Sequence, residues 1–179
     1  MTSVETLKAL LGKYPFNEEL RTEDIQKLYS MGSEVFFRKN EVIFREGDEC
    51  GVFYLLTSGS VILEMSVSNY VLGIETLAPG DEFGWSTMLM RDRRHFQARA
   101  REAASAMAFD GAALIRACKE DPVFGFAFLY RLLGVVSRRL QATRMRLLDT
   151  YASTPEEAAA TPLGHAAGNP FGSGTGRGD

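Results

Sequence analysis

The chain has 179 residues, enough for one domain or one domain with a tail, and it is 45% hydrophobic and 24% charged with a net charge of −3; that is an ordinary globular composition with no basic excess pointing to nucleic acid. The two cysteines, Cys50 and Cys118, have neither CxxC spacing nor a nearby histidine cluster, so neither a zinc site nor a disulfide scaffold is expected. The longest strongly apolar stretch, 123–136, is broken by Arg131 and two glycines and is too short to span a bilayer.

The first segment, MTSVETLKALLGKY, has no basic n-region and no continuous apolar run, which predicts a cytoplasmic protein without a leader. Residues 1–30 read as N-terminal helices, one over 4–12 and one over 22–30. In the second, Thr22 is the expected N-cap, Glu23 and Asp24 suit the positive end of the helix dipole, and Ile25 and Leu28 form an apolar face.

Over residues 31–110 the pattern turns to short β-rich runs: EVFFR, EVIFR, VFYLLT, SVILEMSV, YVLGIETL, FQARARE and ASAMAFD. Turn residues separate them at near-regular intervals, at Lys39-Asn40, Gly47-Asp48, Ser58-Gly59, Ser68-Asn69 and Pro79-Gly80-Asp81. That rhythm predicts an all-β sandwich or barrel. Strand alternation puts Val61, Leu63, Met65 and Val67 on one face and Glu64 and Ser66 on the other. In the same way Phe96, Ala98 and Ala100 oppose Gln97, Arg99 and Arg101.

Residues 111–151 are helical. A short helix covers Gly111 to Lys119, and Pro122 opens a long one reaching about Tyr151. One stripe of the long helix, Phe124, Phe128, Leu132 and Val135, is expected to pack on the β domain. A second stripe, Leu129, Leu133, Val136, Leu140, Thr143 and Leu147, recurs at coiled-coil spacing and predicts a homodimer seam. A buried helix that is apolar on most sides is the alternative. Residues 152–179 collapse to Ala, Gly, Pro, Ser and Thr and read as a disordered tail.

Three motifs occur in order: EVIFREGD with VFYLLTSGSVIL, then LAPGDEFGWSTML, then RRHFQARA followed by SRRLQATRMRLLDTY. Together they resemble the cyclic-nucleotide-binding sensor domain of the Crp/Fnr superfamily over roughly residues 20–151. The resemblance implies a mainly β fold: a double-stranded β-helix (jelly-roll or cupin-like) barrel, short N-terminal helices and a long C-terminal helix. It also implies a phosphate-binding cassette. The glycines at 47, 59 and 80 fit turns that need positive φ, and Gly84 precedes a short helix at Trp85 to about Leu89, with Ser86 in its first turn.

In that family an arginine just before the next strand pairs with the cyclic phosphate, and the position falls on Arg94, with Arg93 adjacent. The small residue that usually follows the arginine is His95 here. A long-helix threonine that reaches adenine in the family's cyclic AMP receptors corresponds to Thr143. One position departs sharply. The ribose-holding acid is replaced by Trp85, whose only polar group is a donor. Three readings stay open: a different anionic or aromatic ligand stacked on Trp85, a cyclic nucleotide in an unusual pose, or a pocket filled by Trp85.

The family's transcription factors carry a winged helix-turn-helix after the long helix, and no such signature follows Tyr151, so DNA binding by this chain alone is not expected. The cluster Arg91, Arg93, Arg94, Arg99 and Arg101 is weak evidence for DNA on a net-acidic chain. Two cysteines are too few for an iron–sulfur cluster, and haem would have to take His95 or Cys50 as axial ligand, although an isolated histidine beside a strand usually just hydrogen-bonds. No catalytic constellation is present: Asp81 and Glu82 read as neighbouring turn residues with diverging side chains. The sequence therefore predicts a stand-alone, non-enzymatic sensor with no resident cofactor or metal. It would respond to a cyclic nucleotide or another small anion and signal to an unidentified protein partner, away from any membrane. The alternative is a degenerate, non-binding sensor fold used as an accessory subunit of a larger enzyme or assembly.

Overall fold

The computed structural model describes residues 14–17, 20–89 and 93–152. The expected helix over 4–12 and almost all of the expected tail lie outside the described residues. Two compact units divide at Arg138/Arg139. The first holds the β domain, and the second continues the last helix.

Two short N-terminal elements come first. Residues Pro15–Asn17 form a 3-10 turn, and α1 spans Thr22–Ser30. Thr22 is not its cap. The cap position falls on Arg21, in extended backbone with no side-chain cap bond. Arg21 instead grips the buried Asp24 carboxylate with two hydrogen bonds of 2.8 Å. Leu28 is fully buried, and Ile25 packs beside it, as the apolar face requires.

Eight strands follow: β1 Gly32–Phe37, β2 Val42–Phe44, β3 Val52–Ser58, β4 Val61–Val67, β5 Tyr70–Leu77, β6 Glu82–Phe83, β7 Gln97–Ala100 and β8 Ala104–Asp110. All seven expected runs are strands. β6 was not anticipated, and it takes Glu82 out of the turn in which the sequence placed it. The strands make two antiparallel four-stranded sheets, ordered β1-β8-β3-β6 and β2-β7-β4-β5. This is a jelly-roll-like arrangement but not a closed barrel, because among the described residues no ladder joins an edge of one sheet to an edge of the other.

The turns show why the strands stop where they do. Gly47, Gly59 and Gly80 sit at φ of 86°, 75° and 101°, a region that side chains other than glycine rarely enter. Carboxylates reinforce the same turns. Asp48 accepts from the Arg45 N–H and Asp81 from the Ala78 N–H, at 2.7 and 2.8 Å.

β3 lies between two apolar layers and feeds both by alternation. Phe53 and Leu55 face a helix-side layer shared with Phe16, Leu28, Phe109, Leu114, Phe124 and Phe128. Tyr54 and Leu56 belong to the sandwich interior, with Val61, Leu63, Leu77, Phe83, Ala98 and Ala100. On the outer face of the second sheet, Glu64 is only 3% exposed because Arg99 and Gln97 cover it with hydrogen bonds and an ion pair.

After β8, α2 spans Gly111–Glu120, with Asp110 accepting from the Ala113 N–H at 2.6 Å as a true N-cap. α3 spans Pro122–Ala152, with Pro122 as its first residue. The expected packing stripe holds: Phe124, Phe128, Leu132 and Val135 are all buried. Leu129, Leu133 and Leu140 of the second stripe are exposed, and the side chain of Leu147 lies outside the described residues. Among the described residues, no helix is long and apolar enough to cross a membrane.

Candidate functional site

The site forms where the β6 strand runs into a tight turn. Gly84 stands at φ 75° and starts a 3-10 helix over Trp85–Leu89. A Cβ on Gly84 would lie 2.6 Å from the Val52 carbonyl oxygen and 3.0 Å from an Arg94 nitrogen. Both the conformation and the close approach therefore require glycine.

Arg94 reaches into this gap from the segment preceding β7. Its backbone is locked first. The Arg94 N–H donates to the Asp48 carbonyl at 2.8 Å, and its carbonyl accepts from the Gly47 N–H at 2.9 Å. The side chain is then drawn inward, leaving the residue 5% exposed. One terminal nitrogen donates to the Gly84 carbonyl at 2.9 Å and to the Ser86 hydroxyl at 3.3 Å. The other donates to the Val52 carbonyl at 2.7 Å. The Phe44 ring lies over the guanidinium, its centroid 4.3 Å from Cζ. The Nε–H is buried and bonds to nothing.

Arg94 has no carboxylate partner among the described residues. All its acceptors are neutral, and burial pushes its pKa down against opposing fields from Cys50, Tyr54 and Asp48. Burying a cation in this state carries a desolvation cost that a counter-charge would offset.

Around it stands an aromatic group. Tyr54 stacks on Phe83 with centroids 4.7 Å apart and rings 10° from parallel, while Phe44 lies 6.4 Å from Tyr54 and 6.2 Å from Phe83. Burial raises the Tyr54 pKa, so its hydroxyl stays protonated at neutral pH. Cys50 touches the Ser86 hydroxyl at 3.4 Å.

Of the residues expected from sequence, Gly84, Ser86 and Arg94 come together. Trp85 is half-buried and packs against the helix-side layer, not the sandwich interior that holds Phe44 and Tyr54. Arg93 is exposed and donates to the Gly47 carbonyl at 3.0 Å, and His95 is also exposed. Thr143 belongs to the second unit, where its exposed hydroxyl donates to the Arg139 carbonyl at 2.9 Å. Arg91 lies outside the described residues. Sequence reasoning missed Phe44, Tyr54 and the Val52 carbonyl. Phase along β3, which puts Tyr54 on the face of Leu56, was the signal available for Tyr54. Among the described residues, no group of three or more His, Cys, Asp or Glu side chains is placed to hold a metal.

Comparison with known proteins agrees with this geometry. Residues 34–121 match the cyclic nucleotide-binding domain. No curated protein is detectably similar in sequence. Among solved structures, a putative cyclic nucleotide-binding protein from Geobacter metallireducens is 25% identical, with a TM-score of 0.66 covering 78% of this chain and 99% of that one. A cyclic nucleotide-binding domain from Methylobacillus flagellatus has a TM-score of 0.72 at 19% identity, covering 82% and 83%. The catabolite activator protein of Thermus thermophilus has a TM-score of 0.65 at 23% identity, covering 77% of this chain and 63% of its own. The last two likenesses are of fold alone. The turn at Gly84, the inward arginine ten residues on and the paired sheets agree with the match, and residues 34–121 are a domain of the cyclic nucleotide-binding family.

Proposed function

We propose that this chain is a ligand-sensing regulatory module rather than an enzyme, and that Arg94 is its receptor for a cyclic nucleotide or another small anion. The observation that supports this is the state of Arg94: buried, unpaired with any described carboxylate, and left with an unsatisfied Nε–H. Gly84, Ser86 and the 3-10 turn complete the anion site. Arg93 and His95 stand at its exposed rim, and Trp85 connects it to the helix-side layer. Ligand would act by favouring one arrangement of this turn over another. The exposed Leu129, Leu133 and Leu140 support a homodimer through α3, Thr143 lying on the same helix, and the output would pass to a partner protein, not to DNA.

The test is titration with cyclic AMP and cyclic GMP, followed by Trp85 fluorescence and calorimetry on samples weighed by light scattering. Saturable binding in the micromolar range that is lost in Arg94→Ala supports the reading, and a dimer mass supports the seam. Absence of both heat and spectral change removes these two ligands.

A second reading has its own support. Trp85 replaces the ribose-holding acid and packs into apolar surroundings, as a degenerate accessory module would require. Binding of neither nucleotide, together with a large loss of stability in Arg94→Ala, would favour it, because Arg94 would then be held for its structural bonds.

A further inference from the structure

We infer that Phe44 is a specificity-determining cap on the anion site, an aromatic ring that a ligand must displace before it can reach Arg94. The inference rests on the reading of Arg94 as an anion receptor and adds what controls access to it.

Three observations carry it. The first is position. The ring centroid lies 4.3 Å from Cζ, close enough for the ring to cover one side of the guanidinium. Gly84, Ser86 and Val52 already hold the two terminal nitrogens. Of the five N–H groups, the Nε–H and one N–H of the nitrogen that donates to Val52 have no bond among the described residues, and the Nε is buried without a partner. An anion that approaches the guanidinium from the ring's side has to displace the ring.

The second is chemistry. A ring face is electron-rich and partly compensates a desolvated cation, but it accepts no strong hydrogen bond. The contact therefore offsets part of the charge of Arg94 and supplies no acceptor for its Nε–H. A phosphate or carboxylate oxygen supplies both charge and acceptor, so exchange of ring for ligand is favourable once the ring has moved.

The third is freedom to move. Phe44 ends a three-residue strand at the edge of its sheet, and the register with β7 shifts between Val42 and Phe44. Phe44 is half-buried, and its neighbours Tyr54 and Phe83 stack more tightly on each other than on it. Displacing it disturbs one edge residue and leaves the closest aromatic pair intact.

The experiment compares wild type, Phe44→Leu, Arg94→Gln and the double variant. Leucine keeps apolar bulk but has no ring to lie over the cation. Cyclic AMP and inorganic phosphate are the probes, read by calorimetry and stopped-flow fluorescence of Trp85. The expected result is binding about tenfold tighter and faster in Phe44→Leu than in wild type, on the scale of a desolvated cation–π contact, and lost in both variants that lack Arg94. Equal affinity and rate in wild type and Phe44→Leu, with loss in Arg94→Gln, overturns the cap and leaves the anion site standing. Binding that survives in the double variant, or binding in none of the four proteins, overturns both. A readout that needs no ligand is the Arg94 Nε–H resonance of the wild-type protein. A cap predicts an upfield ring-current shift and slow exchange with water. A resonance at the ordinary arginine position with fast exchange overturns the cap, even if Phe44→Leu fails to fold.

Discussion

The two faces of β3 look onto interiors of different character. The helix-side layer is filled with large hydrocarbon: Phe16, Phe53, Phe109, Phe124 and Phe128 are all buried to 1% exposure or less, and their rings meet at 5.5–6.0 Å. The sandwich interior has small side chains at Ala98, Ala100, Ala104 and Ala106, and it takes in a charged Arg94 beside Phe44. One strand serves both, through Phe53 and Leu55 on one side and Tyr54 and Leu56 on the other. Stability and recognition are thus separated by the alternation of a single strand. The helix-side layer anchors the fold, so the interior can hold a group that does little for folding.

Substitutions test that division, and the largest effect is expected on the helix side. Phe128 touches Phe16, Phe53 and Phe124 and is fully buried. Phe128→Ala should lower unfolding free energy by about 3–5 kcal/mol in a urea titration, through lost transfer energy and the cavity left behind. A loss below about 1 kcal/mol would mean that the aromatic layer is not the anchor, and the contrast between the two interiors would collapse.

An effect of intermediate size is expected outside both interiors. Glu64 on the outer sheet face accepts from Arg99 and Gln97, and the Arg99 hydrogen bond, followed by that of Gln97, holds its carboxyl below the ordinary value of 4.5. A folded pKa below the unfolded one gives stability that is present above pH 4.5 and is lost as pH falls through the lower folded value. Arg99 keeps part of its surface in water, so Glu64→Gln should cost about 1–2 kcal/mol at pH 7, less than a fully buried pair. The gap between wild type and variant should narrow in acid. A gap independent of pH would assign the loss to packing, not to charge.

The sequence was most informative where a repeating physical constraint acted over many residues. Turn glycines and strand alternation located seven strands. Helical spacing assigned Phe124, Phe128, Leu132 and Val135 to the buried face before any coordinates. Legibility failed where elements are short. β6 has two residues, too few for a period to show, so Glu82 read as a turn residue. β2 has three and a register shift, so nothing in EVIFR says which way Phe44 points. The direction of Trp85 depends on a five-residue 3-10 turn, whose geometry no apolar pattern encodes. Arg94 was found by registry with a family motif. Its burial without a carboxylate partner is a tertiary fact, set by the Gly47–Asp48 backbone that pins it and the Val52 carbonyl that receives it.

The smallest expected effect is the most diagnostic of the division. Breaking a buried ion pair usually costs 3–5 kcal/mol, roughly, because a charge is stranded. Arg94 is already in that condition, since no described carboxylate pairs with it and its Nε–H is unsatisfied. Removing it strands no partner charge. It takes one donor each from the Val52 and Gly84 carbonyls and from the Ser86 hydroxyl, which is unfavourable although Gly84 still accepts from the Thr87 N–H, and it relieves the desolvation of a cation, which is favourable. Methionine fills much of the volume and keeps contact with the Phe44 ring. Arg94→Met should therefore change unfolding free energy by no more than about 1 kcal/mol in either direction, while abolishing anion binding. A loss near that of Phe128→Ala would make Arg94 a structural member of the interior, held for its bonds to Gly84 and Val52. A near-neutral result would mean that the chain keeps a buried cation the fold does not need, which is intelligible only if something outside the fold supplies its counter-charge.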